Sequence, residues 1–181
     1  MVNMVNLQAF KAKICYTSAG YLIHQQKVLL VKHKKLGIWL APGGHMEPNE
    51  LPHQAAEREF WEETGIKVTA INPDPKFEFV SHDSQFLPAA IISNLHWVSQ
   101  ENYQNRLISR QPDKRQATDL WPKGCEQHIC FVYLVAAVDD LDFKQNLEET
   151  DGIGWFSLAE VAQLETTEDI KQEAAFFLNL T

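Results

Sequence analysis

Apolar and polar positions divide this chain into strand-like and helix-like segments. Ile14 to Ile23 and Lys27 to Lys32 are rich in β-branched and aromatic residues and are separated by a short His-Gln-Gln step, which predicts a hairpin. A brief apolar run, Gly37 to Leu40, leads through Ala-Pro-Gly-Gly into a helical pattern from about Pro52 to Thr64. Ala56 and Phe60 form the inward edge of that helix, while Glu57 and Trp61 lie on other sides of it. Ile66 to Ile71 and Lys76 to Ser81 read as strands on either side of the turn-rich Asn-Pro-Asp-Pro. Ile129 to Val138 is the clearest strand of the second half. Gly154-Trp155-Phe156 reads as a short strand, and Ser157 as the cap of a helix reaching about Leu164. A last helix begins at Thr166 or Thr167 and turns Ala174, Ala175, Phe177 and Leu178 inward. Strands interleaved with helices predict an α/β fold in a single domain covering residues 1–181.

The helix from Pro52 carries Glu59, Glu62 and Glu63 within five residues. At 100° per residue, Glu62 and Glu63 fall about 60° and 40° to either side of Glu59, so three carboxylates share one face. Like charges so close repel and raise one another's pKa, which calls for a cation. Oxygen-only clusters suit hard divalent ions, above all magnesium acting with phosphates. A solvated acidic face would give the same run on its own, but its surroundings are specific. Gly44 is followed after five residues by Glu50, and seven residues later come Arg58-Glu59, Phe60, Glu62-Glu63, Gly65 and Ile66. Gly43 and Gly44 let the backbone approach a ligand or ion. Pro52 suits a first helical turn, Gly65 suits a left-handed C-terminus, and Leu51 is a poor cap that leaves the role to Asn49 or Glu50.

This stretch, residues 44–66, resembles the box of the Nudix hydrolase family, GX5EX7REUXEEXGU with U apolar, and matches all seven fixed residues. The resemblance implies an α/β/α sandwich with a mixed β-sheet. It implies Mg²⁺-dependent cleavage (Mn²⁺ being a substitute) of the pyrophosphate linkage in a nucleoside diphosphate joined to a group X. Glu59, Glu62 and Glu63 would bind metal, with the Gly44 carbonyl as an added ligand. Arg58 would pair with Glu50 or Glu62 rather than touch substrate. The general base stays open: Glu62 is one option, and Glu148, Glu149 and Asp151 are others. Many relatives carry a glutamate three residues before the late tryptophan, where this chain has Gly152. Within the class the reading leans to nucleoside triphosphate pyrophosphohydrolase. ADP-ribose or nucleotide-sugar pyrophosphatase is the alternative, and a non-catalytic nucleotide-sensing module is the alternative from another class.

The segment from about 82 to 127 exceeds what the family core needs and reads as a long insertion, a candidate lid, binding loop or oligomer contact. Trp97 and Trp121 could stack on a base or simply pack the insertion. Between Glu101 and Cys125 five basic residues (Arg106, Arg110, Lys114, Arg115, Lys123) stand against three acidic ones. Arg106 and Arg110 are therefore candidate phosphate contacts, as is His33 beside the Pro-Gly-Gly turn, with a solvated loop as the plain alternative.

Composition adds limits. The net charge of −8 argues against a nucleic-acid partner and leaves a small nucleotide as the expected one. No run is long enough to span a bilayer, and the N-terminal residues lack the pattern of a signal peptide. Three cysteines without a CxxC pair suggest a reduced, cytoplasmic setting, with Cys15 and Cys130 packed in strands. Seven histidines without HxH or HExxH spacing predict no zinc site. An oligomeric state is left open.

Overall fold

The two N-terminal apolar runs pair as an antiparallel hairpin of β1 (Ile14–His24) and β2 (Lys27–His33). His24 faces Lys27, so the loop is Gln25-Gln26, with φ of 49° and 58°. Two consecutive residues at positive φ match the twist of the flanking strands, and glutamines accept it here because the ladder on both sides holds them. The computed structural model describes residues 11–109, 111 and 113–180. Their contacts define two units, one of residues 11–16 and 94–130, the other of residues 17–93 and 131–180.

The strands β3 (Trp39–Leu40), β4 (Gly43–His45), β5 (Val68–Ile71), β7 (Gln127–Ala137) and β8 (Thr150–Phe156) join the hairpin, and β6 (Ile92–Trp97) pairs with β7. The sheet runs β3-β2-β1-β7-β5, with β4 on β1 and β8 on β2. Alternation along β1 sends neighbours to opposite faces. Leu22 joins Leu29, Tyr133 and Val135 beneath Ala56 and Phe60 of α1 (Pro52–Thr64). Tyr21 stacks on Phe177 of α4 (Glu168–Leu178), with ring centroids 4.5 Å apart. Helices thus cover both faces, as an α/β sandwich requires. Each such buried aromatic contributes roughly 1.5–3 kcal/mol over an exposed one. Among the described residues no helix is long and apolar enough to cross a membrane.

Two expected elements differ. Lys76 to Ser81 is no strand: Asp74 Oδ1 accepts the Lys76 N–H at 2.9 Å and starts a 3-10 turn at Pro75–Phe77. Phe77, Phe79 and Val80 are exposed, and the segment joins no ladder of the sheet. The helix after Ser157 is also short, α3 spanning Leu158–Val161 before i→i+3 turns take over at Gln163 and Leu164.

Gly152 lies in β8 opposite Lys32 of β2. A Cβ there would sit 2.9 Å from Cη2 of Trp39, whose ring meets Phe156 edge-on at 4.7 Å. The indole fills the space that a side chain at 152 would need, which explains the absence of a glutamate.

In the smaller unit the long insertion carries one helix between irregular stretches. α2 (Gln100–Ile108) is capped by Ser99, whose hydroxyl accepts the Asn102 N–H at 3.0 Å. Arg106 and Glu126 are fully buried and form a two-pronged ion pair, Nε to Oε1 at 2.5 Å and Nη2 to Oε2 at 3.0 Å. Arg106 Nη2 also donates to the Lys11 carbonyl at 2.7 Å, and Glu126 Oε2 accepts the Lys13 N–H at 2.7 Å. The Glu126 carbonyl accepts from Val98 and Ser99 at 2.9 and 3.2 Å. A charge left alone in such a place is expensive, far more than the pair itself contributes. Arg106→Ala is therefore expected to lower the unfolding free energy by about 3–5 kcal/mol. Urea denaturation checks this, and a loss below about 1 kcal/mol would show that Glu126 finds water or another partner.

Candidate active site

β4 is held on β1, with Ala19 opposite Gly43 and Ser18 opposite Gly44. Both glycines are dictated by space. A Cβ on Gly43 would overlap the Ser18 carbonyl and Ala19, and one on Gly44 would lie 2.5 Å from the Glu59 carboxyl group. The strand and the acidic face of α1 can meet only because these positions carry no side chain.

The helix begins and ends through local chemistry. Leu51 supplies no capping side chain, and Gln54 Oε1 accepts the Leu51 N–H at 3.2 Å instead. Neither Asn49 nor Glu50 is the cap. Glu50 Oε2 accepts the Glu47 N–H at 2.9 Å and the rest of its carboxylate faces Arg58. At the other end Gly65 has φ 74° and its N–H reaches the Trp61 carbonyl at 2.7 Å. Glu57 pins the helix to β5, its Oε1 accepting the Ala70 N–H at 2.8 Å.

Arg58 sits at the centre of the acidic face. Its Nε and Nη2 grip Glu50 Oε1 and Oε2 at 2.8 and 3.0 Å. Nη1 donates to Glu59 at 2.8 Å and to Glu62 at 3.0 Å, and Nη2 also reaches the His45 carbonyl at 3.0 Å. The arginine therefore spends its donors on the protein. Its hydrogen bond holds the Glu50 carboxyl below the usual range, and the same carboxylates hold the guanidinium firmly charged.

Glu63 lies apart from Arg58. It is 3% exposed, and its Oε2 accepts the Gly43 N–H at 3.0 Å. Burial pushes its pKa up to about 8, and the charges of Glu59, Glu149 and Glu62 act in the same direction. Burial likewise raises Glu59, against the pull of Arg58. Four carboxylates (Glu50, Glu59, Glu62, Glu63) against one guanidinium leave three negative charges when all are ionised. Buried carboxylates in excess over cations make a site that favours a divalent ion with oxygen ligands.

The alternative bases follow β7. Asn146 donates its N–H to the Glu63 carbonyl at 3.2 Å, and Lys144 to that of Thr64 at 2.7 Å, which ties this segment to the end of α1. Glu148, Glu149 and Asp151 are exposed. Glu149 raises the pKa of both Glu59 and Glu63, so its charge is felt at the acidic face. The tethering role of Asn146 was not legible in the sequence, where an asparagine before Leu-Glu-Glu signals only a turn.

The expected substrate contacts are scattered. His33 Nδ1 accepts the N–H groups of Lys35 and Leu36 at 3.2 and 3.3 Å, and burial lowers its pKa. It builds the turn before β3. Arg106, expected to meet phosphate, is instead consumed in the buried pair with Glu126, with no surface to offer a ligand. In that same unit Trp97 is 44% exposed and meets Tyr103 edge-on at 5.3 Å, while half-buried Trp121 faces His128 at 6.4 Å. Arg110 lies outside the described residues.

Comparison with known proteins places this geometry. Residues 17–176 match the model of the NUDIX domain. An 8-oxo-dGTP diphosphatase from Proteus vulgaris is 34% identical over 76 residues, 39% of this chain and 65% of that protein. The human diphosphoinositol polyphosphate phosphohydrolase 3-alpha is 39% identical over 74 residues, 36% of this chain and 43% of that protein. The chain spans between a third and a half of the first curated relatives it matches. A NUDIX-family hydrolase from Clostridium perfringens shares the fold with a TM-score of 0.63 and 24% identity, over 93% of this chain and 98% of that one. The match runs through both the hairpin and the last helix, and on that evidence the chain belongs to the Nudix family.

Proposed function

We propose that this chain is a Mg²⁺-dependent pyrophosphohydrolase of nucleoside diphosphates joined to a group X, most of all nucleoside triphosphates. The observation that carries the reading is the buried Glu63, hydrogen-bonded to the bare backbone of Gly43 beside Glu59 and Glu62. The residues fit magnesium: hard oxygen donors, surplus negative charge, and a carbonyl at Gly44 on the same strand. Glu59, Glu62 and Glu63 would hold the metal, with the Gly44 carbonyl as a further donor. Bound there, magnesium would neutralise and orient the pyrophosphate.

The chain's own groups do the rest. Arg58 fixes Glu59 and Glu62 in register, so the carboxylates do not splay apart under their own repulsion. Glu50 anchors Arg58 from the preceding loop. The base that takes the proton from the attacking water is Glu149, an exposed carboxylate whose charge is felt at Glu59 and Glu63. Glu62, Glu148 and Asp151 are the competing assignments. A triphosphate substrate is favoured by kinship with an 8-oxo-dGTP diphosphatase. A non-catalytic sensor is disfavoured by the complete acidic face, which a binding module would not need to retain.

Purified protein with Mg²⁺ should release phosphate from at least one nucleotide of a broad panel when coupled to a phosphatase. Glu63→Gln should slow the best substrate by at least about 10²-fold, and Glu149→Gln by a similar factor with little change in KM. Glu148→Gln and Asp151→Asn should stay near wild type. Nucleotide binding without turnover across the panel would point to the sensor, and full activity in Glu63→Gln would remove the metal assignment.

A second expectation concerns pH. The Glu63 carboxyl titrates at about 8 in the native protein against an ordinary value of 4.5. Between those values the native state keeps a proton that the unfolded chain has lost. Metal-free stability contributed by this group is thus present at low pH and lost as pH rises from about 4.5 to about 8. Added Mg²⁺ should raise the Tm more at about pH 8.5 than at about pH 6, because metal and proton compete for the same oxygens. Glu63→Gln should flatten the metal-free pH slope and remove most of the Mg²⁺ response. Thermal melts across pH decide it, and an unchanged slope in the variant would contradict the assignment.

A further inference from the structure

The smaller unit brings Cys15 to Cys125 and His128, from 110 or more residues away in the chain. Cys15, Cys125 and His128 place their ligating atoms within 4.8 Å of one another. The two sulfurs are 2.6 Å apart across a sequence separation of 110 residues. Cys125 and His128 are spaced as Cys-x-x-His at the entry to β7, and they are 1% and 8% exposed. Their surroundings are built. The Cys125 carbonyl accepts from Asn102 Nδ2 at 3.0 Å, and Glu126 between the two is fixed by Arg106. Arg115 donates to Cys15 Sγ at 3.2 Å and to the Ile14 carbonyl at 2.8 Å. Trp121 and His96 pack edge-on against the His128 ring, at 6.4 and 5.5 Å.

We propose that Cys15, Cys125 and His128 form a structural site for a soft divalent metal, zinc above all, separate in chemistry from the carboxylate face. Two thiolates and an imidazole are the donor set that zinc prefers, and magnesium does not. Ligand atoms on a tetrahedral zinc lie roughly 3.5–3.8 Å apart, so small side-chain rotations convert the observed spacing into a coordination sphere. The sulfurs open by about 1 Å and the imidazole closes in. Binding transfers two thiol protons to water and leaves a neutral Zn²⁺–dithiolate unit, which suits a largely buried place. The third ligand separates this from a simple cysteine pair. A disulfide would use Cys15 and Cys125 but gives His128 no role. Arg115, beside Cys15, is placed to support a thiolate sulfur. The earlier expectation of no zinc site looked for ligands close in sequence, and Cys15 is supplied by a distant strand.

The full-length protein, without an affinity tag that binds metal, should be purified under reductant and stripped of metal. On adding Co²⁺ it should develop thiolate-to-cobalt charge-transfer absorption together with visible d–d bands, saturating at about one ion per chain. Zn²⁺ should displace the cobalt. Cys15→Ser, Cys125→Ser and His128→Ala should each weaken or abolish the bands, whereas Glu63→Gln should keep them. On the wild-type protein alone, Zn²⁺ should slow alkylation of Cys15 and Cys125 at least about tenfold and leave Cys130 unchanged. That readout survives even if the variants fold poorly. Absence of the cobalt bands with both thiols reduced would overturn the site, as would equal alkylation rates. A Cys15–Cys125 disulfide found in protein purified without reductant, together with no metal uptake after reduction, would assign the pair to oxidation instead.

Discussion

Arg58 carries the acidic face of α1. One guanidinium bonds to Glu50, Glu59, Glu62 and the His45 carbonyl, so loop, helix and β4 are joined through a single planar group. Without it, carboxylates one helical turn apart would turn their side chains outward to water and away from each other. A lysine could not replace this, because a point charge lacks the fork that grips both Glu50 oxygens. The arginine neutralises part of the charge, and burial keeps a proton on Glu63 up to about pH 8. One guanidinium orders the face without balancing all four carboxylates, and that surplus is what the proposed divalent ion would answer.

Glu63 shows the same trade from the side of stability. Burial makes its ionised form unfavourable, and the Gly43 N–H offsets part of that. Proteins tolerate such groups where the misfit has a use. The rest of the larger unit absorbs the strain through apolar contacts on both faces of the sheet, Phe60 beneath α1 and Phe177 against Tyr21.

What could be read from the sequence followed the range of the interactions. The helix of the box, its inward residues Ala56 and Phe60, and its glycine stop rest on contacts within a few residues, and they were legible. So was the hairpin, although not its unusual pair of glutamines at positive φ. Lys76 to Ser81 misled because alternation reports a tendency, while Asp74 and Pro75 turn the chain into a 3-10 helix at its start. Arg106 looked like a surface cation because its partner Glu126 is twenty residues away, and only folding shows that the two desolvate each other. Cys15 and Cys125 could not have been paired by spacing for the same reason. Lys144 and Asn146 reach the acidic helix through backbone bonds at its C-terminal end, which no side-chain pattern encodes.

The two glycines of β4 carry one more consequence. Where Gly43 and Gly44 face Ser18, Ala19 and Glu59, the wall of the site is main chain alone. Substitution can remodel the carboxylates, the insertion and every aromatic of this protein, but it has nothing to exchange on a surface without side chains. Such a wall keeps the same donors and acceptors in the same places however far the remaining sequence drifts, so change in what the site accepts must come from its other sides.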